Sequence, residues 1–301
     1  EALATQGGVV FLLRDWADLR RTQSRLVAEE DIAGVAGLAP WSAPLANPGT
    51  RARNVHVVVL ETVWDPTVLS HYAFSRHPFD PRLLALWERS GRSTMLVPVF
   101  GGATANAEFE ALCGLQANSN LVAFATTLRQ SIPCLPSLLR AAGYATVASH
   151  PNRADFWSRD RAYEWLGFER YLAVDAFELD DMDGAFLADA SLFRQLRDLL
   201  PSIHEGRPVF NYVVTLASHF PFDRDRSRRP DLVEVSPAEP SVANYANAIA
   251  HTTAVFMDWV EETLEADPDA LIVAFGDHAP VLEALPDPFV LSGLGYKPRA
   301  S

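Results

Sequence analysis

Lysine is nearly missing from this sequence: Lys297 is the only one, and 25 Lys and Arg together face 38 Asp and Glu, for a formal net charge of −13. That balance leaves no clustered cations for a phosphate backbone, so a nucleic-acid partner is excluded. The surplus acid serves solubility, and arginine in place of lysine reads as the codon bias of a GC-rich genome, with no mechanism attached. Cysteine is scarce too. Cys113 and Cys134 are the only two and lie outside any CxxC-like spacing, which excludes a cysteine-based zinc site and leaves one disulfide or two buried thiols open. A bilayer-spanning helix needs roughly 20 apolar residues, and no such run occurs; GGVVFLL at residues 7–13 is far shorter. An initiating Met and a signal-peptide pattern are also absent, as fits an excised domain whose targeting segment lies upstream. There is no internal repeat and no low-complexity tract.

Hydrophobic residues are plentiful at 49% of 301 positions, enough to bury a full core in one large α/β domain or in a domain with a small appendage. Residues 7–13 read as a short apolar strand or turn, 14–30 as a charged helix, and the proline-bearing stretch 39–50 as a linker. NVHVVVL at 54–60 is a β-branched run of the kind that forms a parallel strand buried on both faces. Further strands are predicted at 96–100, 144–150, 209–215 and 270–275. Helices are predicted at 107–112, 135–143, around 189–200 and at 242–266, and a surface loop at 223–240. Such alternation predicts a largely parallel sheet with helices on both faces, binding ligands at the carboxyl ends of its strands.

Those strand ends carry polar groups that a buried strand does not need. Glu61 follows the first run, Thr215 and His219 follow NYVV, and Asp277 and His278 follow LIVAFG. In a parallel sheet these groups meet at one edge, and carboxylate oxygens with imidazole make a divalent-metal shell. Thr104 adds a fourth component. Two glycines precede it and a helix begins just after, so its hydroxyl lies at a helix N-terminus, where backbone N–H groups favour a phosphate or sulfate. Metal coordination would lower the hydroxyl pKa and yield a nucleophile near neutral pH. Taken singly, Thr104 is an ordinary N-cap and Glu61 a loop residue; their joint placement speaks for a site.

Five blocks in order carry a family resemblance: VVVLETVWDP at 57–66, GGATANAEFEALCG at 101–114, LLRAAGYATVASHPNRADFWSRDRAYEWLGFE at 138–169, VVTLASHFPF at 213–222 and IVAFGDHAP at 272–280. In these the chain resembles the lipoteichoic acid synthase and phosphoglycerol transferase branch of the alkaline phosphatase and sulfatase superfamily. The resemblance implies an α/β fold, a three-layer sandwich with a mostly parallel central sheet. It implies a membrane enzyme with its catalytic domain on the extracytoplasmic, periplasmic side: residues 1–53 would be a helix and linker leading from an upstream membrane region, and 54–301 the catalytic domain. It also implies one divalent ion, manganese in the usual case with magnesium or zinc as alternatives, held by Glu61, Thr104, Asp277 and His278. Thr104 would be the nucleophile, and His219 would contact the transferred phosphate and protonate the leaving group. His150, Trp157 and Arg159 would form a glycerol-phosphate pocket, the arginine holding phosphate through two donors and the tryptophan walling the glycerol carbons.

The implied partners are an anionic phospholipid head group, such as that of phosphatidylglycerol, and an envelope glycan acceptor. In an extracytoplasmic setting a Cys113–Cys134 disulfide follows. Ala103 departs from the pattern, since some synthases carry lysine there, which puts substrate identity in question. The chain also ends soon after His278, where family domains continue, so either a C-terminal part is absent or the domain is a compact variant. Phosphodiester hydrolysis and phosphoethanolamine transfer use the same motif residues and remain open, as does a binding module for glycans or head groups without turnover. His56, His71, His77, His204 and His251 fall outside the motifs and read as structural or surface residues.

Overall fold

A computed structural model describes residues 52–91, 93–117 and 121–294. The predicted strand at 7–13, helix at 14–30 and linker at 39–50 lie outside the described residues. Five strands, β1 (Val55–Leu60), β2 (Ala145–Ser149), β3 (Arg170–Leu172), β4 (Val209–Val214) and β5 (Leu271–Gly276), form one sheet in the order β3-β2-β4-β1-β5. Every pairing in it is parallel. The helices are α1 (Pro81–Arg89), α2 (Thr104–Cys113), α3 (Ala123–Thr126), α4 (Leu135–Ala141), α5 (Arg159–Leu166), α6 (Asp189–His204), α7 (Pro240–Ala266) and α8 (Pro288–Leu291).

The two-residue period of β1 divides the core. Val57 and Val59 point into a cluster with Phe109, Tyr163 and Phe210, on the side of α2 and α5. Val58 and Leu60 point the other way, into a cluster with Leu192, Phe193, Phe256 and Trp259 from α6 and α7. Because a strand with both faces covered alternates between two cores, its sequence reads as continuously apolar. The result is the three-layer α/β sandwich expected, with a parallel central sheet.

Three expectations need correction. Residues 96–100 are not a strand. Leu96 is 95% exposed, and Pro98 lacks the N–H that a strand ladder requires, so the run is an irregular approach to Gly101 and Gly102. The strand at 271–276 is not buried like its neighbours: β5 is the sheet edge, with Leu271 43% and Val273 44% exposed. An apolar run of this length does not reveal which strand lies outermost. Finally, α1, α3, α5, α8 and β3 were not anticipated. The signal for α1 was present, since Asp80 caps the helix through the Arg82 N–H and Pro81 occupies its first turn.

Cys113, the last residue of α2, is bonded to Cys134, the N-cap of α4, with their Cα atoms 4.3 Å apart. Opening a loop of this size removes about 3 kcal/mol in the chain-entropy account. The double variant C113S/C134S should lose that much in urea denaturation and should no longer respond to reductant.

His56 is buried in β1, edge-on to Trp259, and its Nδ1 pairs with the Asn211 side-chain amide at 3.2 Å. Burial lowers its pKa to about 4, against a smaller opposing pull from Asp267. The unfolded chain protonates this ring near 6.5 whereas the folded chain refuses the proton until about 4, so the stability present above 6.5 is lost as pH falls through that window. The loss is on the order of 3 kcal/mol from this residue. Denaturant midpoints measured from pH 7 to 4 should fall, and His56→Gln should flatten the fall.

Candidate active site

Neighbouring strands bring the acidic residues together. β1 and β5 pair in register with Leu60 opposite Gly276, so the residues that follow each of them, Glu61 and Asp277, emerge side by side. Gly276 permits this approach: a Cβ there would sit 1.8 Å from the Val63 carbonyl oxygen. Thr104 arrives from a different element. Gly101, Gly102 and Ala103 all take positive φ, of 68°, 148° and 60°, a tight turn that sets Thr104 at the first position of α2. The turn is tied to the β5 side by the Gly101 N–H donating to the Ala279 carbonyl at 3.1 Å.

The four groups form one buried cluster. The Thr104 hydroxyl donates to Asp277 Oδ2 at 2.7 Å, while Asp277 Oδ1 accepts from the backbone N–H groups of Thr62 and His278 at 2.7 and 3.0 Å. The Thr62 hydroxyl donates to Glu61 Oε1 at 2.6 Å. His278 Nδ1 donates to the Ala279 carbonyl, which leaves the lone pair on Nε2. That Nε2 stands 3.2 Å from Asp277 Oδ2 and 3.6 Å from Glu61 Oε1. One ligand atom from each of Glu61, Asp277 and His278 lies within 4.8 Å of the others. Burial pushes the Glu61 carboxyl well above the usual carboxylate range, and Asp277 pushes it further, against the Thr62 hydrogen bond.

This donor set fits a divalent cation. Two carboxyl groups and an imidazole nitrogen, all buried and facing one another, are the oxygen and nitrogen donors such an ion takes. Glu61, Asp277, His278 and the Thr104 hydroxyl would hold it.

A second group lies at the ends of β2 and β4. His150 is buried, its Nδ1 paired with the Val214 carbonyl at 3.1 Å. Burial first, then the nearby charges of Arg159 and His219, hold its pKa well below the usual histidine value, so it is neutral. His219 donates from Nδ1 to the Phe220 carbonyl at 2.7 Å and meets the Phe186 ring edge-on. Among the described residues no hydrogen bond joins His219 to Thr104. The loop bearing His219 nonetheless grips Glu61, since the Glu61 N–H donates to Thr215 Oγ1 and the Ser218 hydroxyl donates to the Glu61 carbonyl. Arg159 lies over the Trp157 ring at 5.1 Å. Its side chain is only 1% exposed, and two of its N–H groups hold Glu108. Thr215 was among the strand-end polar groups named from the sequence, whereas Glu108 and Ser218 were not, since a lone polar residue in an apolar segment carries no signal until the elements pack.

The family model for Sulfatase matches residues 53–298. The chain is 30% identical over 255 residues to a Rhizobium meliloti protein named for cyclic beta-1,2-glucan modification, covering 81% of this chain and 37% of that protein. It is 24% identical over 189 residues to lipoteichoic acid synthase 1 of Bacillus subtilis, covering 60% and 29% respectively. The chain thus spans about a third of the length of the curated relatives it matches. Two solved structures share the fold, each with a TM-score of 0.65: the lipoteichoic acid synthase LtaP from Listeria monocytogenes (21% identity, 84% of this chain, 62% of that one) and the Streptococcus pyogenes phosphoglycerol transferase GacH in complex with sn-glycerol-1-phosphate (22% identity, 89% and 69%).

Because cation and proton compete for Glu61, uptake of Mn2+ used as a probe should strengthen as pH rises and should release a proton, seen by calorimetry in buffers of different ionisation enthalpy. Asp277→Asn should weaken that uptake at least about tenfold.

Proposed function

Because the chain belongs to the sulfatase family, we propose that it is the catalytic domain of a metal-dependent phosphoglycerol transferase that moves the head group of phosphatidylglycerol to an envelope glycan. The observation that carries this reading is the Thr104 hydroxyl, held at 2.7 Å from Asp277 at the N-terminus of α2 and facing the ligand cluster. The family resemblance favours manganese as the ion. When bound, the ion lowers the pKa of the threonine hydroxyl and offsets charge on the phosphoryl oxygens.

In the first step Thr104 Oγ bonds to phosphorus as its proton leaves along the hydrogen bond to Asp277. The bond from phosphorus to the glyceride oxygen breaks, and that oxygen takes a proton from His219, so diacylglycerol departs and phosphoglycerol remains on Thr104. An acceptor hydroxyl then gives its proton to His219 and attacks phosphorus in line, and the Thr104–phosphorus bond breaks as Thr104 Oγ takes its proton back from Asp277. The α2 N-terminus faces the anionic group throughout. Trp157 supplies a flat wall for the glycerol carbons, and neutral His150 a polar contact. A glycan acceptor is supported by the name of the Rhizobium meliloti relative and by a second one there, a capsular polysaccharide biosynthesis protein. The Cys113–Cys134 disulfide supports work in an oxidising, extracytoplasmic compartment. No helix among the described residues is long and apolar enough to cross a membrane.

Incubation with phosphatidylglycerol should release diacylglycerol and leave a glycerol-phosphate ester on Thr104, detectable by peptide mass spectrometry. Thr104→Ala should lower turnover by on the order of 10³-fold or more with an unchanged melting midpoint. Residual activity of more than a few per cent, or equal consumption of phosphatidylethanolamine, would reject the assignment.

A further inference from the structure

We propose that Glu108 is a positioning residue that fixes the gap between the nucleophile Thr104 and the pocket wall formed by Trp157 and Arg159; this rests on the reading of those residues given above. Glu108 is the fourth residue after Thr104 in α2, so it shares that helix face about one turn further on. It is fully buried. Its Oε1 accepts from Arg159 Nε at 3.1 Å and Nη2 at 2.7 Å, and its Oε2 accepts from the Tyr163 hydroxyl at 2.5 Å. Arg159 and Tyr163 lie one turn apart on α5, so a single carboxylate fastens two points of the pocket helix to the nucleophile helix.

An apolar pair of similar size could fill this space without the cost of burying two charges, which a buried ion pair often fails to recover. What the pair adds is direction. Two N–H groups of the guanidinium are committed to Glu108, and Nη1 reaches only the Phe156 carbonyl, at 3.5 Å. Glu108 therefore sets the plane of the Arg159 head, and the Trp157 ring lies against that head. The wall needs such backing: Trp157 and Ser158 both hold left-handed backbone, with φ of 57° and 59°, a conformation that side-chain-bearing residues keep only when their surroundings impose it.

The test uses the full chain with Mn2+ and free glycerol 1-phosphate as the probe. Glu108→Gln removes the charge at constant shape, and Glu108→Asp keeps the charge on a shorter arm. Both should bind Mn2+ within threefold of wild type while binding glycerol 1-phosphate at least tenfold more weakly, and KM for phosphatidylglycerol should rise by a similar factor with a smaller change in kcat. Unchanged glycerol 1-phosphate affinity in a folded variant would overturn the proposal. So would loss of Mn2+ and glycerol 1-phosphate together with a fallen melting midpoint, the mark of a purely structural residue. If neither variant folds, Tyr163→Phe removes one bond and spares the ion pair; a severalfold weaker affinity supports positioning, and no change overturns it. A wild-type protein that fails to bind glycerol 1-phosphate removes the pocket reading and this proposal together, whereas equal binding by wild type and folded variants removes only the role of Glu108.

Discussion

Two acidic side chains and an imidazole buried side by side set the terms for the rest of this structure. Glu61 and Asp277 leave adjacent parallel strands at the same level, nearly sealed from water, with the lone pair of His278 turned toward both. Such an arrangement is costly in an apolar interior, and the surroundings are organised around holding it. Backbone N–H groups of Thr62 and His278 secure one oxygen of Asp277. Thr215 and Ser218 clamp the backbone of Glu61 from the neighbouring strand end. Gly276 lets the two chain segments come within contact distance at all.

Thr104 enters this cluster from outside the sheet, and its placement depends on a separate set of supports. The 101–103 turn delivers Thr104 to the start of α2, a backbone hydrogen bond ties that turn to the residues after His278, and the disulfide secures the far end of the helix to α4. Between those two anchors Glu108 joins the helix to α5. A helix restrained at both ends and in the middle has little freedom to slide, so the Thr104 hydroxyl is held to a small volume before any substrate arrives.

Much of this was legible in the chain. The strands at 54–60, 144–150, 209–215 and 270–275 announced themselves because central parallel strands need apolar residues on both faces, and the polar residues that end three of them marked the sheet edge where ligands gather. Residues 96–100 carried the same apolar signal and misled, because Pro98 blocks the ladder that would have made them a strand. The position of β5 at the edge was hidden, since strand order is a property of long-range pairing. Glu108 was hidden for a related reason: its partners lie about fifty positions away, and nothing local distinguishes a buried carboxylate with a guanidinium from a solvated one. The hold of Glu108 on Arg159 was hidden with it, for the same missing contact.

The exposed flank of β5 has a consequence of its own. Among the described residues β5 has a strand neighbour on one side alone, and Leu271 and Val273 lie exposed on it. The same six residues lead through Gly276 into Asp277 and His278. Strand and loop are one continuous segment, so a slip of β5 by a single residue along its pairing with β1 would carry Asp277 and His278 out of line with Glu61.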